Sequence, residues 1–311
     1  VGANIARELA KYDLKVCMLE RCDDVSCGAS KANSGIVHGG YSDEPGTLKA
    51  ELCVKGNRMY EQLDKELNFG YRETGSMVLI FRDEDKGKLD KLYEKGVKNG
   101  VGGLEIIDGD KAREIEPYLS SEVKGALYCA NAGVTSPYEF VIALAENAVA
   151  NGVDLHLNTE VTAIEKAGDI FTIATNNGEF KARYVINSAG MYSDRVAKMV
   201  GIDEYNITPR RGQYILLEKE QNYLAKSVIF QVPTELGKGI LVTTTYHGNL
   251  MVGPNAEEID DREDVGTNAQ ALEYIVNTAR LSVPGFDMKK AITSFAGNRP
   301  VANVKDWVIE E

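Results

Sequence analysis

The first twenty residues constrain the fold most. Val1-Gly2-Ala3-Asn4-Ile5-Ala6-Arg7-Glu8-Leu9-Ala10 reads as a helix with a glycine in its first turn. A short apolar strand follows, Lys15-Val16-Cys17-Met18-Leu19, and it ends on an acid, Glu20. This is the pattern of the back half of a dinucleotide-binding βαβ unit. There the last fingerprint glycine lets helix and strand approach closely, and an acid about 20 residues on accepts the ribose hydroxyls. A carboxylate at that place disfavours a 2′-phosphate, so Glu20 points to FAD or NAD rather than NADP. Gly2, Glu20 and Arg21 form the first candidate cofactor group. A lone helix glycine also serves plain packing, so Gly2 by itself decides little. The unit's first strand and first two glycines are not in the chain, which reads as a fragment. The stop at Glu310-Glu311, without cap or turn, reads as a second cut.

The remaining chain alternates helices and strands, which places it in the α/β or mixed α+β class. Helices are expected over 2–12, 46–67, 85–99, 137–151, 193–200 and 268–281. Ser136 is the expected N-cap of the fourth, with Pro137 just inside. Strands are expected over 15–20, 75–81, 155–157, 161–166, 170–176 and 180–187. Asn177-Gly178 signals a tight turn before the last of these. Further strands are expected within 211–253, with turns at Gly237 and Gly248, and a final pair over 289–296 and 306–310.

Composition excludes several functions. A net charge of −12 lacks the basic footprint that nucleic acid requires. No apolar run approaches the roughly 18 residues of a membrane span. The five cysteines, Cys17, Cys22, Cys27, Cys53 and Cys129, fit no disulfide scaffold or zinc knuckle. They read as reduced thiols of a cytoplasmic protein, with association at the membrane periphery left open. Three histidines far apart in sequence argue against a His-based metal site, and no metal is expected.

Two more segments carry cofactor chemistry. Cys27-Gly28-Ala29-Ser30-Lys31-Ala32-Asn33-Ser34-Gly35-Ile36-Val37-His38-Gly39-Gly40-Tyr41 is rich in small residues. Such residues let backbone N–H groups approach a phosphate or a flat ring. Ser30, Asn33 and Ser34 add polar contacts beside Gly35, and the apolar Ile36-Val37 argues for docking rather than a loose surface loop. Tyr184-Val185-Ile186-Asn187-Ser188-Ala189-Gly190 is an apolar strand running into small residues and then a helix. In isolation it is also a plain strand-to-helix turn.

Together these segments resemble the flavin-dependent oxidoreductases of the D-amino-acid-oxidase and glycerol-3-phosphate-dehydrogenase superfamily, over essentially the whole chain. Ala32-Asn33-Ser34-Gly35-Ile36-Val37-His38-Gly39-Gly40-Tyr41 is similar to the branch holding anaerobic-type glycerol-3-phosphate dehydrogenases and L-2-hydroxyglutarate oxidases. Asn187-Ser188-Ala189-Gly190 is similar to the family's motif near the FAD pyrophosphate, which brings in Ala189 and Gly190. Val161 matches the position whose backbone meets the adenine. Phe295-Ala296-Gly297-Asn298-Arg299-Pro300 matches a segment whose arginine binds the substrate's anionic group. The resemblance implies a Rossmann-like FAD domain built from 1–47, 137–200 and 300–311. It implies a substrate domain on a large mixed sheet, from 48–136 and 201–299, and a last cofactor segment beyond Glu311.

The chemistry implied is hydride transfer from a C–H bond beside a hydroxyl or amine to the flavin. His38 lies in the cofactor loop and its reference pKa of about 6.5 suits a general base. It also reads as a residue that packs on the flavin. Arg299 is the expected anion clamp. Of Arg210 and Arg211, one faces the pocket, by family pattern Arg211, because strand neighbours point to opposite faces. Tyr246 and His247 read as a solvated turn that could reach the pocket, and His156 as structural. The reading is oxidation of sn-glycerol 3-phosphate, with L-2-hydroxyglutarate as the alternative substrate. Quinone, oxygen or a partner redox protein stay open as electron acceptor. A flavin-binding subunit of an electron-transfer assembly and a nicotinamide-dependent dehydrogenase are the competing classes.

Overall fold

The computed structural model describes residues 1–232 and 239–311. The turn expected at Gly237 lies outside the described residues. Helix Gly2–Leu9 buries Ala3 and Ala6 against Leu144, Ala145 and Ala148 of helix Pro137–Ala150. Small side chains on both helices allow close approach, and Met18 from the neighbouring strand fills the same seam. Strand Cys17–Leu19 runs parallel to Asp154–His156, with Cys17 opposite Asp154 and Leu19 opposite His156. A three-stranded antiparallel sheet follows, Val161–Ala167, Ile170–Thr175 and Gly178–Ala182.

The second part is a large mixed sheet of nine strands among the described residues. Its order runs Glu257–Glu258, Ile207–Leu217, Leu250–Gly253, Leu241–Thr244, Val228–Gln231, Ser76–Ile80, Gly125–Cys129 and Leu104–Asp108. The ninth strand, Ala291–Ala302, pairs along the whole of Ile207–Leu217. The pair Val228–Gln231 with Ser76–Ile80 is parallel, which makes the sheet mixed. Helix Ala269–Ser282 covers one face, where Ile275 and Ala279 meet Ile215, Leu217, Val242 and Val252. A small sheet of Ile36–Val37, Gly133–Thr135 and Tyr71–Glu73 ties the glycine-rich loop to this part.

Several expectations are corrected. The first helix ends at Leu9, short of 12. The strand expected over 180–187 stops at Ala182, and Tyr184 and Ile186 are exposed. Their side chains suit a strand, but no neighbouring strand takes their backbone bonds among the described residues. The same holds at 306–310, while the preceding strand runs far longer than expected, Ala291–Ala302. The domain boundary expected at 300 falls inside that strand, whose pairs Thr208 with Val301 and Ile207 with Ala302 still belong to the large sheet. Ser136 sits at the N-cap position, but its hydroxyl makes no capping bond. Tyr71–Glu73, Leu104–Asp108, Gly125–Cys129, Gly133–Thr135 and helix Gly109–Ile115 were not anticipated.

Candidate active site

The first and third sequence motifs meet in space. A Cβ added at Gly2 would lie 3.3 Å from the Cβ of Ser188, so the first helix turn rests on Asn187-Ser188-Ala189-Gly190. The Asn187 side chain locks that turn: its Oδ1 accepts from Ala189 N at 3.2 Å and its Nδ2 donates to Ser193 O at 2.7 Å. Ala189 and Gly190 are exposed, and Gly190 adopts φ +57°. Glu20 sits at the end of its strand, where its N–H donates to His156 O at 2.9 Å and its carbonyl accepts from Thr159 N at 2.8 Å. One carboxylate oxygen of Glu20 accepts from Cys22 N at 2.9 Å, and the Cys22 thiol also bonds this carboxylate. Val161 opens the neighbouring antiparallel sheet, opposite Thr175. An acid at a strand end, with a tight glycine contact and an exposed small-residue turn, fits a dinucleotide such as FAD. Arg21 is already engaged: it pairs with Glu263 at 2.7 Å and lies over the Tyr192 ring at 4.1 Å.

The glycine-rich loop is a built element rather than a loose one. Asn33 latches it from within, donating to Ala29 O at 3.0 Å and Ser30 O at 2.9 Å and accepting from Gly35 N at 2.8 Å. Asn33 thus shapes the loop, and those side-chain groups are not free for a ligand. Ser30 is half-buried. Gly35 has φ +63°, and a Cβ there would lie 2.6 Å from Thr135 O. On the other side the loop presses on the large sheet: a Cβ at Gly297 would lie 1.9 Å from Ala32 O. Only glycine fits there, two residues before Arg299. Ser34 shares a hydrogen bond with Tyr214, whose ring stacks on Phe295 at 4.8 Å. Burial pushes the Tyr214 phenol up to about 12, against the opposing charge of Arg299, so it stays protonated at neutral pH.

His38 is held by its backbone, whose carbonyl accepts from Asn57 Nδ2 at 3.1 Å. Its ring stacks on Phe230 of the large sheet at 5.9 Å between centroids. The residue is solvent-accessible, yet protein surrounds it densely enough for desolvation to lower its pKa below the ordinary histidine value. A group both reachable and crowded lies in a cleft. Asp43 opposes that shift and the charge of Arg299 adds to it, so both charges lie within electrostatic range of His38. Arg299 is exposed, and its guanidinium makes no hydrogen bond or ion pair among the described residues.

Arg211 is corrected. Antiparallel register places Arg210 opposite Arg299, Gly212 opposite Gly297 and Tyr214 opposite Phe295. Directly opposed residues share a face, so the face bearing Arg299 carries Arg210 and not Arg211. Arg211 points the other way, buried between Asp264 at 2.6 Å and Glu257 at 3.0 Å. Arg210 pairs with Glu258 at 2.7 Å. Alternation along Arg210–Tyr214 is the signal that finds Tyr214; nothing local in sequence announces Phe230. Tyr246 and His247 form the turn before Gly248, where His247 bonds Glu139 at 2.9 Å, in a cavity whose lining includes neither His38 nor Arg299.

A model of the FAD dependent oxidoreductase family (DAO) matches residues 1–311. The chain is 47% identical over 311 residues to the glycerol 3-phosphate dehydrogenase of Caloramator mitchellensis, covering all of this chain and 65% of that protein. It is 34% identical over 275 residues to the mitochondrial L-2-hydroxyglutarate dehydrogenase of Nematostella vectensis, covering 82% of this chain and 60% of that one. Among solved structures it is similar to the dithionite-reduced, FAD-bound L-α-glycerophosphate oxidase of Mycoplasma pneumoniae, with a TM-score of 0.92 at 29% identity, covering 97% of this chain and 81% of that one.

Proposed function

The chain belongs to the DAO family of FAD-dependent oxidoreductases, and on that premise we propose that it oxidises an anionic secondary alcohol, sn-glycerol 3-phosphate, to dihydroxyacetone phosphate. The observation that carries this reading is Arg299, a cation within electrostatic range of His38 with no acid of its own among the described residues. FAD, when bound, supplies the acceptor for the hydride of the carbinol carbon. Arg299 holds the substrate's anionic group through its planar fork and so fixes the carbinol relative to His38. His38 takes the hydroxyl proton on a ring nitrogen. Its lowered pKa keeps that nitrogen free at neutral pH. The Ser34–Tyr214 pair holds the glycine-rich loop against the sheet that carries Arg299. Gly2, Glu20, Ser188, Ala189 and Gly190 hold the cofactor's ribose and pyrophosphate side in this reading, with Val161 at the adenine.

The likeness to an L-2-hydroxyglutarate dehydrogenase supports a second substrate, which presents a carboxylate to Arg299 in place of a phosphate. We read 1–47 and 137–200 as the FAD-binding part and 48–136 with 201–302, to the end of strand Ala291–Ala302, as the substrate part. The contact of Gly2 with Ser188 supports the first grouping. Quinone, oxygen or a redox protein takes the electrons onward. No helix among the described residues is long and apolar enough to cross a membrane. The test is anaerobic mixing of the complete, FAD-loaded protein with each alcohol while flavin absorbance is followed. Bleaching by glycerol 3-phosphate is expected. Bleaching by L-2-hydroxyglutarate alone moves the assignment to the second substrate, and bleaching by amino acids alone overturns both.

A further inference from the structure

The parallel strand pair at the start of the chain gathers three metal-ligating side chains that the proposed oxidation does not use. Cys17 stands opposite Asp154 in the register, and His156 is two residues beyond Asp154, on the same face. One ligand-type atom from each of Cys17, Asp154 and His156 lies within 4.8 Å of the others. Nε2 of His156 is 2.8 Å from Oδ2 of Asp154. Phe180 packs edge-on against the imidazole at 4.9 Å and limits its rotation. Cys17 is a free cysteine.

We propose that Cys17, Asp154 and His156 form a binding site for one divalent transition ion of the zinc class. A thiolate, an imidazole and a carboxylate at about 2.0–2.3 Å are a recurrent zinc ligand set, with water in the fourth tetrahedral position. Tetrahedral bonds of that length put ligand atoms about 3.3–3.8 Å apart, so side-chain rotations close the site without moving the strands. The sulfur ligand excludes Mg²⁺ and Ca²⁺, which take oxygen. Binding releases the thiol proton, and the ion takes the place of the hydrogen bond between His156 and Asp154; no electron moves. The ion staples strand Cys17–Leu19 to strand Asp154–His156, next to Glu20, whose N–H donates to His156 O at 2.9 Å. Sequence spacing hid the site because its members lie on separate strands that the fold makes neighbours.

The test is titration of the complete, FAD-loaded, metal-stripped protein with Co²⁺, read in the red beyond the flavin spectrum. One equivalent is expected to give bands of tetrahedral intensity that Zn²⁺ abolishes. Cys17→Ser and His156→Ala are each expected to weaken binding at least about tenfold, and Asp154→Asn to do the same. Cys22→Ser, on a neighbouring thiol outside the cluster, is expected to leave it unchanged. Absence of saturable bands overturns the proposal, as does binding that survives Cys17→Ser unaltered.

Discussion

Replacing Asp194 by asparagine tests how the small-residue turn is fixed to the large sheet. Asp194 is 2% exposed. Its two oxygens accept from Nη1 and Nη2 of Arg262, both at 2.7 Å, and from the N–H groups of Arg195 at 2.9 Å and Ile207 at 3.0 Å. Arg262 also donates to Met191 O at 2.8 Å and Ile207 O at 2.6 Å, which joins the turn to the strand. The Arg262 partner, with those backbone donors, lowers the Asp194 carboxyl from 3.8 to about 2. That depression corresponds to about 2 kcal/mol. Asparagine keeps the shape but leaves Arg262 without a counter-charge, so the expected loss at neutral pH is ~3 kcal/mol, at the low end for a broken buried pair. The sign follows from the lowered pKa. The carboxylate's contribution is fully present above its unfolded value and fades as pH falls through the folded one, about 2. Urea unfolding of the complete protein, followed by circular dichroism from about pH 7 to about pH 3, measures it. The gap between wild type and variant is expected to narrow at the acid end. A gap that stays constant, or one below ~1 kcal/mol at neutral pH, refutes the reasoning.

Arg299→Ala is expected to raise the substrate KM about 10- to 100-fold, the loss of one charge-assisted anion contact, as read in steady-state kinetics. His38→Gln is expected to slow flavin reduction about 10²- to 10⁴-fold with FAD content intact; unchanged single-turnover rates remove it as the base. Because the His38 pKa is lowered, its neutral form persists below the ordinary histidine range, so the acid limb of kcat/KM is expected to fall below about pH 6.5. Gly297→Ala is expected to displace the glycine-rich loop, since the new methyl would meet Ala32 O at 1.9 Å, and to reduce FAD content at gel filtration.

Local signals made part of this structure legible. Pro137 at the start of Pro137–Ala150 marks its helix, because proline at the first helical position acts within one turn. The strand ending on Glu20 was legible for the same reason: acid and apolar run are adjacent. Partner-dependent features were not. Tyr184–Ile186 has strand chemistry, but a strand requires a neighbour. The two arginines show the limit within the site. Alternation said that one of them faces the pocket, but which one depends on the register with Ala291–Ala302, where Arg210 meets Arg299. Asn33 was readable as polar and loop-borne, but its latch on Ala29, Ser30 and Gly35 is a closed geometry that residue type does not reveal. Cys17, Asp154 and His156 converge only through strand pairing.

The most direct test of the central claim is anaerobic stopped-flow reduction of the complete, FAD-loaded protein by glycerol 3-phosphate carrying deuterium at C2. If Arg299 and His38 present a secondary alcohol for hydride removal, the flavin bleaches and the C2 label slows bleaching several-fold, while label at C1 or C3 does not. Bleaching indifferent to the C2 label, or no bleaching by either anionic alcohol, contradicts the account.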